Sequence, residues 1–515
     1  MLRYPAAFLV VFAGVAPARA ATITVKPGDS YDKIESAQAG DTVLIEPGTY
    51  KFRVYLENSG TAANPITIKG KDPANRPVWD LGGQPISSWP GSYDGGDSNR
   101  GAWQVAGDHY VIESIIFRNC QDNIGAGLRA RNVTGVTVRD CLFEGGTNGL
   151  YGAADDFVVE FCEFNNNGGN MDHNVYIMGG TFTLRYSYIH DSKSGGQNLH
   201  IRARQATIEY NWISRAGTYE VDMMSCELLC GGSGSSSVTM KMTLRGNVIV
   251  QGSSGSDRIV VQMDDHPGEE SNDSTGTTTK MELTMINNTV IGQQVDMVVK
   301  MRNDTVQTAA ILHNNIFYGV NALAVADDPG SGGFTRSGSN NWIPSGASAS
   351  GVTGSIQGGD PGFANPGAKD YQLKAGSPCI GKAASVGGLP TKEYYLNETT
   401  KLQYRPRATA KDVGAFEHGN TAKPVGPHET QPPPPPPSDG SPPTPTDGGT
   451  VPAADGPVIP AGDSGKKGAN SLDGGCSCAM TSPADLEALW LLLPLVAFSR
   501  RYRRGLRRAA RLFRR

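Results

Sequence analysis

The chain has 515 residues, of which 65 are glycine and 18 are tyrosine, and its formal charge is −4. That length is ample for a large buried core, and the glycine content favours a turn-rich β protein over a helical one. When the 11 basic and 2 acidic residues of the first 20 and last 40 positions are set aside, 35 basic and 48 acidic residues remain. The body of the chain therefore has a net charge near −13, which argues against nucleic acid as a partner.

The first 20 residues have the pattern of a secretory signal peptide. Arg3 supplies a positive charge, residues 6–16 are mostly apolar, and the sequence Ala18-Arg19-Ala20 matches an A-x-A cleavage site. We therefore predict export, with cleavage after Ala20. Export permits disulfide bonds.

The next segment, ITVKPGDSYDKIESAQAGDTVLIEPGTY, begins at Ile23. It predicts a short amphipathic helix over residues 30–38 with Ser30 as its N-cap. The segment resembles the opening of secreted β-helix proteins of the pectate-lyase-like group, in which such a helix caps the first coil. A cap is needed because an open solenoid end exposes strand edges and core.

A sequence motif close to Val-x-Val-x-x-(Asn or Cys)-x-(Phe or Ile) then occurs eight times, for example as VTVRDCLF, FVVEFCEF and ATIEYNWI. The steps between the last apolar positions are 26, 21, 25, 24, 36, 41 and 26 residues. Stacked units that share one core have such periods, and these units alternate with period two and are rich in β-branched residues. The repeat predicts an all-β fold, a right-handed parallel β-helix over residues 21–345 with about 8–11 coils. The eight anchors are Phe117, Phe143, Phe164, Ile189, Ile213, Ile249, Val290 and Ile316.

Equivalent positions of successive coils form ladders with a spacing of about 4.8 Å. Asn211, Asn247, Asn288 and Asn314 are predicted to form a structural amide ladder that satisfies buried turn carbonyls. Cys141 and Cys162 share one repeat position on adjacent coils, so their sulfurs should stack, either bonded or packed as small apolar groups.

A second pair, Cys226 and Cys230, lies in a Gly/Ser-rich loop, which a disulfide between them would close. A metal site is the alternative, but no histidine or further cysteine nearby completes a tetrahedral set.

A second strand follows each anchor by about ten residues, as in NVYIM, NLHIRAR and IVVQMDDH. Period-two alternation turns its apolar residues inward and gathers the polar ones on one outward face. The insertions at 226–237 and 266–279 lie beside this face and would wall a cleft suited to an extended chain. The predicted outward residues are Tyr176, His200, Arg202, Asp222, Gln262, Asp264, Lys300 and Arg302.

These groups suit β-elimination on a uronate polymer, in which the C5 carboxylate is neutralised, the C5 proton is removed and the glycosidic oxygen leaves. His200 or Lys300 would be the base, Tyr176 the proton donor and Arg202 the carboxylate clamp. Asp222 and Asp264 form a candidate Ca²⁺ site. The predicted substrate contacts are Arg204, Gln262 and Arg302.

Other interpretations remain open at this point. Each polar residue of this face could be an ordinary solvated or ion-paired strand residue. A glycoside hydrolase needs two carboxylates about 5–9.5 Å apart, for which Asp222 with Asp264, or Asp155 or Asp156, would serve. A non-catalytic surface protein that binds carbohydrate, or acts as an adhesive or structural stalk, is the third interpretation.

After the repeats, residues 346–419 contain DPGFANPGAKDYQLKAGSPCIG and DVGAFEHG. They resemble a C-terminal module of surface-anchored bacterial β-helix proteins, which implies that they finish the stack and cover its lower end. Residues 420–473 include six consecutive prolines at 432–437, which predicts a disordered, extended linker.

The last 42 residues, 474–515, combine GGCSCAM, an apolar stretch at 488–498 and nine arginines. Eleven apolar residues are fewer than the roughly 20 that span a bilayer. The arrangement resembles the myxobacterial C-terminal sorting signal, which implies that a sorting protease processes Cys476, with Cys478 as the alternative. The protein would then remain on the cell surface, attached to the outer membrane, and we expect it to be a monomer. A plain tail anchor is the alternative.

Overall fold

The structure is a computed structural model that describes residues 20–82, 101–121, 125–169, 172–231, 237–252, 258–264, 277–303, 306–329, 333–398 and 402–429. The predicted signal peptide up to residue 19, most of the linker and the predicted sorting signal with Cys476 lie outside these ranges. Within them, no helix has the length and apolar character needed to cross a membrane.

The described chain winds into a right-handed parallel β-helix whose coils contribute strands to three faces. The third face is a parallel sheet of 12 strands within the described residues, slightly more than the number of coils predicted. Its strands are β3 (Thr49–Tyr50), β6 (Val78–Asp80), β9 (Ile116–Arg118), β11 (Leu142–Glu144), β13 (Glu163–Asn165), β15 (Tyr188–His190), β17 (Trp212–Ser214), β20 (Val248–Val250), β23 (Thr289–Val295), β26 (Ile316–Val320), β29 (Trp342–Pro344) and β30 (Ile356–Gly358).

The first and second faces join through four long strands that run across both. These are β10 (Leu128–Arg139), β12 (Leu150–Glu160), β14 (Val175–Arg185) and β16 (Leu199–Glu209). Strands of the first face alone are β4 (Val54–Leu56), β7 (Trp103–Val105), β18 (Val221–Met224), β21 (Ile259–Asp264), β24 (Met297–Asn303) and β27 (Ala324–Pro329). Strands of the second face alone are β1 (Thr22–Val25), β2 (Thr42–Ile45), β5 (Ile66–Gly70), β8 (Tyr110–Glu113), β19 (Ser237–Arg245), β22 (Thr277–Ile286), β25 (Gln307–His313) and β28 (Phe334–Ser339).

The predicted anchors stack in the core between the faces. The rings of Phe117, Phe143 and Phe164 lie parallel, with centroids 4.9 and 4.8 Å apart, and parallel pairing continues through Ile189, Ile213, Ile249 and Val290. The eighth anchor was wrong by one residue, because Val290 pairs with Phe317 and not with Ile316. The sequence HNNIF fits the repeat in either register, and only pairing with the previous coil decides between them.

That shift also corrects the amide ladder. Its members bond along the helix axis, each side-chain oxygen accepting from the amide of the preceding member, at 2.9 to 3.1 Å. Asn314, the predicted fourth member, instead adopts a left-handed backbone with φ 56° and bonds Ala384. The ladder consists of Asn211, Asn247, Asn288, Asn315 and Asn341.

The two predicted cysteine pairs have different outcomes. Cys141 and Cys162 are free thiols buried at the ladder position of earlier coils, where each donates to a backbone carbonyl two residues before it. The two thiols pack on adjacent coils and form no disulfide bond with each other. Cys226 and Cys230 form the predicted disulfide.

The cap helix is shorter than predicted. The helix α1 spans only Asp32–Glu35, and its N-cap position is Tyr31 instead of Ser30. The carboxylate of Asp41 accepts from the backbone N–H groups of Gln38 and Ala21, so the chain is already turning into β2 where the helix was expected to continue. Ile34 is buried against the first coil.

The described residues 360–398 and 402–429, which we call the C-terminal segment, follow β30 and lie along the side of the solenoid, whereas the prediction was a cover over its lower end. From Lys382 to Lys392 the contacts move from late coils to early ones: Lys382 with Asn340, Ala384 with Asn314, Thr391 with Tyr210, and Lys392 with Tyr186. The chain then returns to later coils, where Asp412 and Ala415 contact Asn287 and Thr289, and His428 finally contacts Asp140. The segment contains two antiparallel hairpins, β31 (Phe363–Asn365) with β32 (Asp370–Leu373) and β33 (Lys392–Tyr394) with β34 (Tyr404–Pro406), and a short 3-10 turn, Pro366–Ala368. Some partners on the solenoid, including Asn314, Tyr210 and Tyr186, lie at corners between the second and third faces and have left-handed backbones. Others are on third-face strands, where Trp212 and Trp342 share a buried cluster with Phe363 and Tyr371 of the segment.

Candidate functional site

The first face carries one polar row, which we call the site row. Strand pairing aligns Tyr151 with Tyr176, Tyr176 with His200, His200 with Asp222, Asp222 with Gln262, and Gln262 with Lys300. The alternating neighbours Val175, Ile177, Leu199 and Ile201 are fully buried in the core. Alternation therefore places the row on the outer side of the sheet, as predicted.

Asp222 and His200 form the central pair of the site row. The Nδ1 atom of His200 lies 3.0 Å from Oδ2 of Asp222, and their side chains are only 12% and 5% exposed. A carboxylate in this position favours the imidazole tautomer with the proton on Nδ1. The Nε2 atom of that tautomer has a lone pair that can accept a proton.

Two aromatic rings enclose the imidazole of His200. The ring of Tyr176 meets it edge-on, with centroids 4.4 Å apart, and the ring of His173 stacks on it at 4.5 Å. Nδ1 of His173 lies 3.3 Å from the backbone N–H of Gln197. Burial, followed by the nearby His200, lowers the pKa of His173 well below its usual range, so this ring is neutral and acts as packing against His200.

Sequence reasoning missed His173. It stands just before β14, where the strand pattern has not begun, so alternation does not assign it to either side of the sheet. The signal that could have found it is its place 27 positions before His200, about one coil earlier.

Tyr176 is the candidate proton donor of the site row. Burial raises the pKa of its phenol strongly, Arg202 opposes this through its charge and a hydrogen bond, and the charges of Glu227 and Tyr151 raise the pKa further. The phenol is therefore protonated at neutral pH. It lies next to the imidazole of His200.

Arg202 is held by protein groups, which does not fit the predicted role of a substrate clamp. It is 3% exposed. Its Nε donates to the carbonyl of Ser225 at 2.9 Å, and its Nη1 lies 2.7 Å from the carboxylate of Glu227. With its hydrogen bond to Tyr176, Arg202 links the phenol to the loop that follows β18.

Arg204, a predicted substrate contact, lies away from the site row. Burial alone would raise the pKa of Asp155. Hydrogen bonds from Thr181 and Asp156, and the positive charge of Arg204, outweigh burial and lower this pKa. A protonated acid needs a raised pKa, so Asp155 does not fit the acid of a hydrolase. Asp156 is exposed.

The far end of the site row is less closely connected. Lys300 is half-buried and stands three strands beyond His200, roughly 14 Å away at about 4.8 Å per strand. Its backbone lies two strands from Asp222 and four strands from Tyr176. Gln262 is buried and its Nε2 lies 3.4 Å from Oδ2 of Asp264.

The two predicted calcium ligands belong to different rows. Asp264 pairs with Met224 and Arg302, whereas Asp222 pairs with Gln262 and bonds His200. Among the described residues, no cluster of three or more His, Cys, Asp or Glu side chains could hold a metal ion. Arg302 is placed by its backbone pairing alone, because its side chain lies outside the described part of the structure.

No protein-family model matches the chain, and neither does any curated protein. Solved structures that resemble it include pectate lyase Pel9A, at 15% identity and a TM-score of 0.48 over 78% of this chain and 96% of that one. An alginate lyase from Paenibacillus sp. str. FPU-7 has 16% identity and a TM-score of 0.38 over 60% of this chain and 96% of its own. The GH136 lacto-N-biosidase from Eubacterium ramulus has 11% identity and a TM-score of 0.39 over 65% and 68%. Likenesses of this extent do not decide which reaction the chain performs.

Proposed function

We propose that this protein is a polysaccharide lyase that cleaves a uronate-containing polymer by β-elimination. One observation supports the proposal most strongly: the Asp222–His200 pair, with its 3.0 Å contact, lies against the protonated phenol of Tyr176 on the outer side of the first face. A base and an acid adjacent to each other are what proton removal and leaving-group protonation require.

In this reaction Nε2 of His200 takes the C5 proton of a uronate. The C–H electron pair forms the C4=C5 double bond, the C4–O bond breaks, and the phenol of Tyr176 gives its proton to the departing glycosidic oxygen. Asp222 stabilises the imidazolium that forms. Arg202 supplies positive charge beside Tyr176, and the participation of Ca²⁺ stays a prediction for experiment.

The proposed setting is the bacterial surface. Export with cleavage after Ala20, processing at Cys476 by a sorting protease, and retention on the outer membrane remain proposals that the sequence motifs support. In that setting a monomeric enzyme would meet polymers outside the cell. Lys300, Gln262 and Arg302, further along the first face, would contact neighbouring sugars of an extended chain.

The test is turnover of a panel of uronate polymers by the full-length chain, followed by the ultraviolet absorbance of the unsaturated product. We expect absorbance to rise and His200→Gln or Tyr176→Phe to reduce kcat about 10²- to 10⁴-fold, the usual contribution of a positioned acid or base. Lys300→Ala should leave kcat within a few-fold, because of its distance from the pair. A large loss with Lys300→Ala and none with His200→Gln would assign the base to Lys300.

Parallel reactions with calcium and with a chelator test the metal. New reducing ends on a neutral glycan without unsaturated product would indicate a hydrolase instead.

A non-catalytic carbohydrate binder is the second candidate, favoured by the burial of Arg202 and its pairing with Glu227. A polar side chain that is ion-paired inside the protein can be structural. Binding of uronate oligosaccharides by the wild type without any product, unchanged by His200→Gln, would support this candidate over the lyase.

A further inference from the structure

The loop after β18 lies along the edge where the first face meets the second, and a disulfide closes it. Its residues 225–230 begin with Ser225, whose N–H donates to the carbonyl of Asp264, and Cys226, whose N–H donates to Oγ1 of Thr278. The disulfide between Cys226 and Cys230 joins the two ends of the loop. The loop is thus fixed to two strands of the next coil, β21 and β22, as well as to itself.

The backbone within the loop is one that leucine seldom adopts. Leu228 and Leu229 are both left-handed, with φ 56° and 44°, and such conformations cost energy for residues other than glycine. They persist only where surrounding structure constrains them. Here the disulfide and the hydrogen bonds of the loop are the constraint.

This conformation directs Glu227 back onto the sheet. Its N–H donates to the carbonyl of Arg202, its carbonyl accepts from the N–H of Gly179, and its carboxylate lies 2.7 Å from Nη1 of Arg202. Ser225 accepts from Nε of the same guanidinium. Two neighbouring residues of one loop therefore fix the orientation of Arg202.

Arg202 in turn lies on the strand next to Tyr176, two residues beyond the strand partner of Tyr176, His200, and its charge and a hydrogen bond act to lower the pKa of the phenol. The connection runs from the disulfide to Glu227, from Glu227 to Arg202, and from Arg202 to Tyr176. Glu227 also offsets the positive charge of Arg202, which would otherwise favour ionisation of the phenol.

We propose that Glu227 is a positioning residue for the lyase reaction: through Arg202 it holds the phenol of Tyr176 against His200, and it does so only while the Cys226–Cys230 disulfide is closed. The proposal rests on the proposed lyase function for its effect on turnover. It makes the activity dependent on the redox state of one disulfide. The other cysteines of the described chain are free thiols, so among the described residues this pair is the disulfide that a reductant can open.

The test compares Glu227→Gln, Cys226→Ser with Cys230→Ser, and all three substitutions together in the full-length chain. Each of the first two should lower kcat about 10- to 100-fold, the loss typical when a group that orients a functional side chain is removed, with KM nearly unchanged. Because both act through one connection, the combined variant should lose no more than the worse of the two. Glu227→Asp should recover part of the loss.

The matched control is Glu282→Gln, which removes a carboxylate that pairs with Lys280 on β22, four residues beyond the Thr278 that accepts from the loop. It should leave kcat unchanged. Losses that multiply in the combined variant, or a Glu227→Gln variant with the kcat of the wild type, would overturn the proposal.

A second readout needs no turnover. With 3-fluorotyrosine at position 176, the ¹⁹F resonance should move on Glu227→Gln and on reduction of the wild type, and reduction should add little in the Glu227→Gln variant. A resonance that is insensitive to both changes contradicts the proposed connection. If the wild type turns over no polymer but the resonance responds as expected, the lyase function fails while the connection to Tyr176 stands.

Discussion

The amide ladder and the site row are both built from equivalent positions on successive coils, yet they differ in composition. The amide ladder repeats asparagine five times, and its members bond one another and backbone carbonyls near the ends of second-face strands, such as those of Ile208 and Leu244. The site row repeats only its first residue, as Tyr151 and Tyr176, and then changes at each coil to His200, Asp222, Gln262 and Lys300. The asparagines of the amide ladder complete one another's hydrogen bonds. The site row contains different side chains, several of which can carry charge.

The difference separates what the fold requires from what it only permits. A solenoid gains from identical residues at a buried ladder position, because each one completes the hydrogen bonds of its neighbours. Nothing in the coil geometry requires a histidine beside an aspartate on an outer face. Variation along an outer row, combined with burial of its charged members, is therefore the feature that points to function.

The largest effect should come from Asp222→Asn, which tests the site row. An amide that donates to Nδ1 of His200 would favour the tautomer with its proton on Nε2, which cannot accept the C5 proton. We expect kcat to fall about 10²- to 10⁴-fold, as for an acid–histidine pair whose acid becomes an amide, with a nearly unchanged thermal midpoint. Activity within a few-fold of the wild type would remove Asp222 from the mechanism.

For Asn247→Ala, in the amide ladder, we expect the reverse of the Asp222→Asn result: a loss of stability with unchanged kcat. Asn247 is fully buried, accepts from Asn211 and donates to the carbonyl of Ile208 and to Asn288. Leaving these groups without partners should lower the free energy of unfolding by about 2–4 kcal/mol, measured by denaturant titration, while kcat of the remaining folded protein is unchanged.

The exposed Asn75 gives the control for that measurement. Asn75→Ala should change the unfolding free energy by less than about 0.5 kcal/mol. Equal stability losses for Asn75→Ala and Asn247→Ala would show that the ladder contributes nothing specific.

The contrast between the amide ladder and the site row also explains which features could be predicted from the sequence. The repeat predicted the parallel β-helix, seven of its eight anchors and the outward side of the first face, because all of these follow from period-two alternation. It failed at Asn314, where HNNIF permits two registers and only pairing with β23 selects Asn315. It could not predict the role of Glu227, because residues 225–230 obey no strand pattern and take their conformation from the disulfide and from contacts with later coils.

The smallest expected effect is on the pH dependence of stability, and it concerns Glu220. In a second amide ladder Asn167, Asn174 and Asn198 bond in succession, and Glu220 takes the next position in place of an asparagine. Glu220 is fully buried, and burial raises its pKa to about 7, although hydrogen bonds from Ala216 and Asn198 oppose the shift. Since the unfolded chain releases this proton near pH 4.5, the folded state binds more protons between about pH 4.5 and 7, and stability should fall as pH rises through that window.

Glu220→Gln should therefore flatten the dependence of the unfolding free energy on pH by about 1–3 kcal/mol across this window, measured by denaturant titration at several pH values. Glu282→Gln should leave the slope as it is. An unchanged slope in Glu220→Gln would mean that Glu220 is already ionised where it lies. In that case the charged residue would be as compatible with a buried ladder as asparagine, and charge at a ladder position would no longer distinguish a functional row from a structural one.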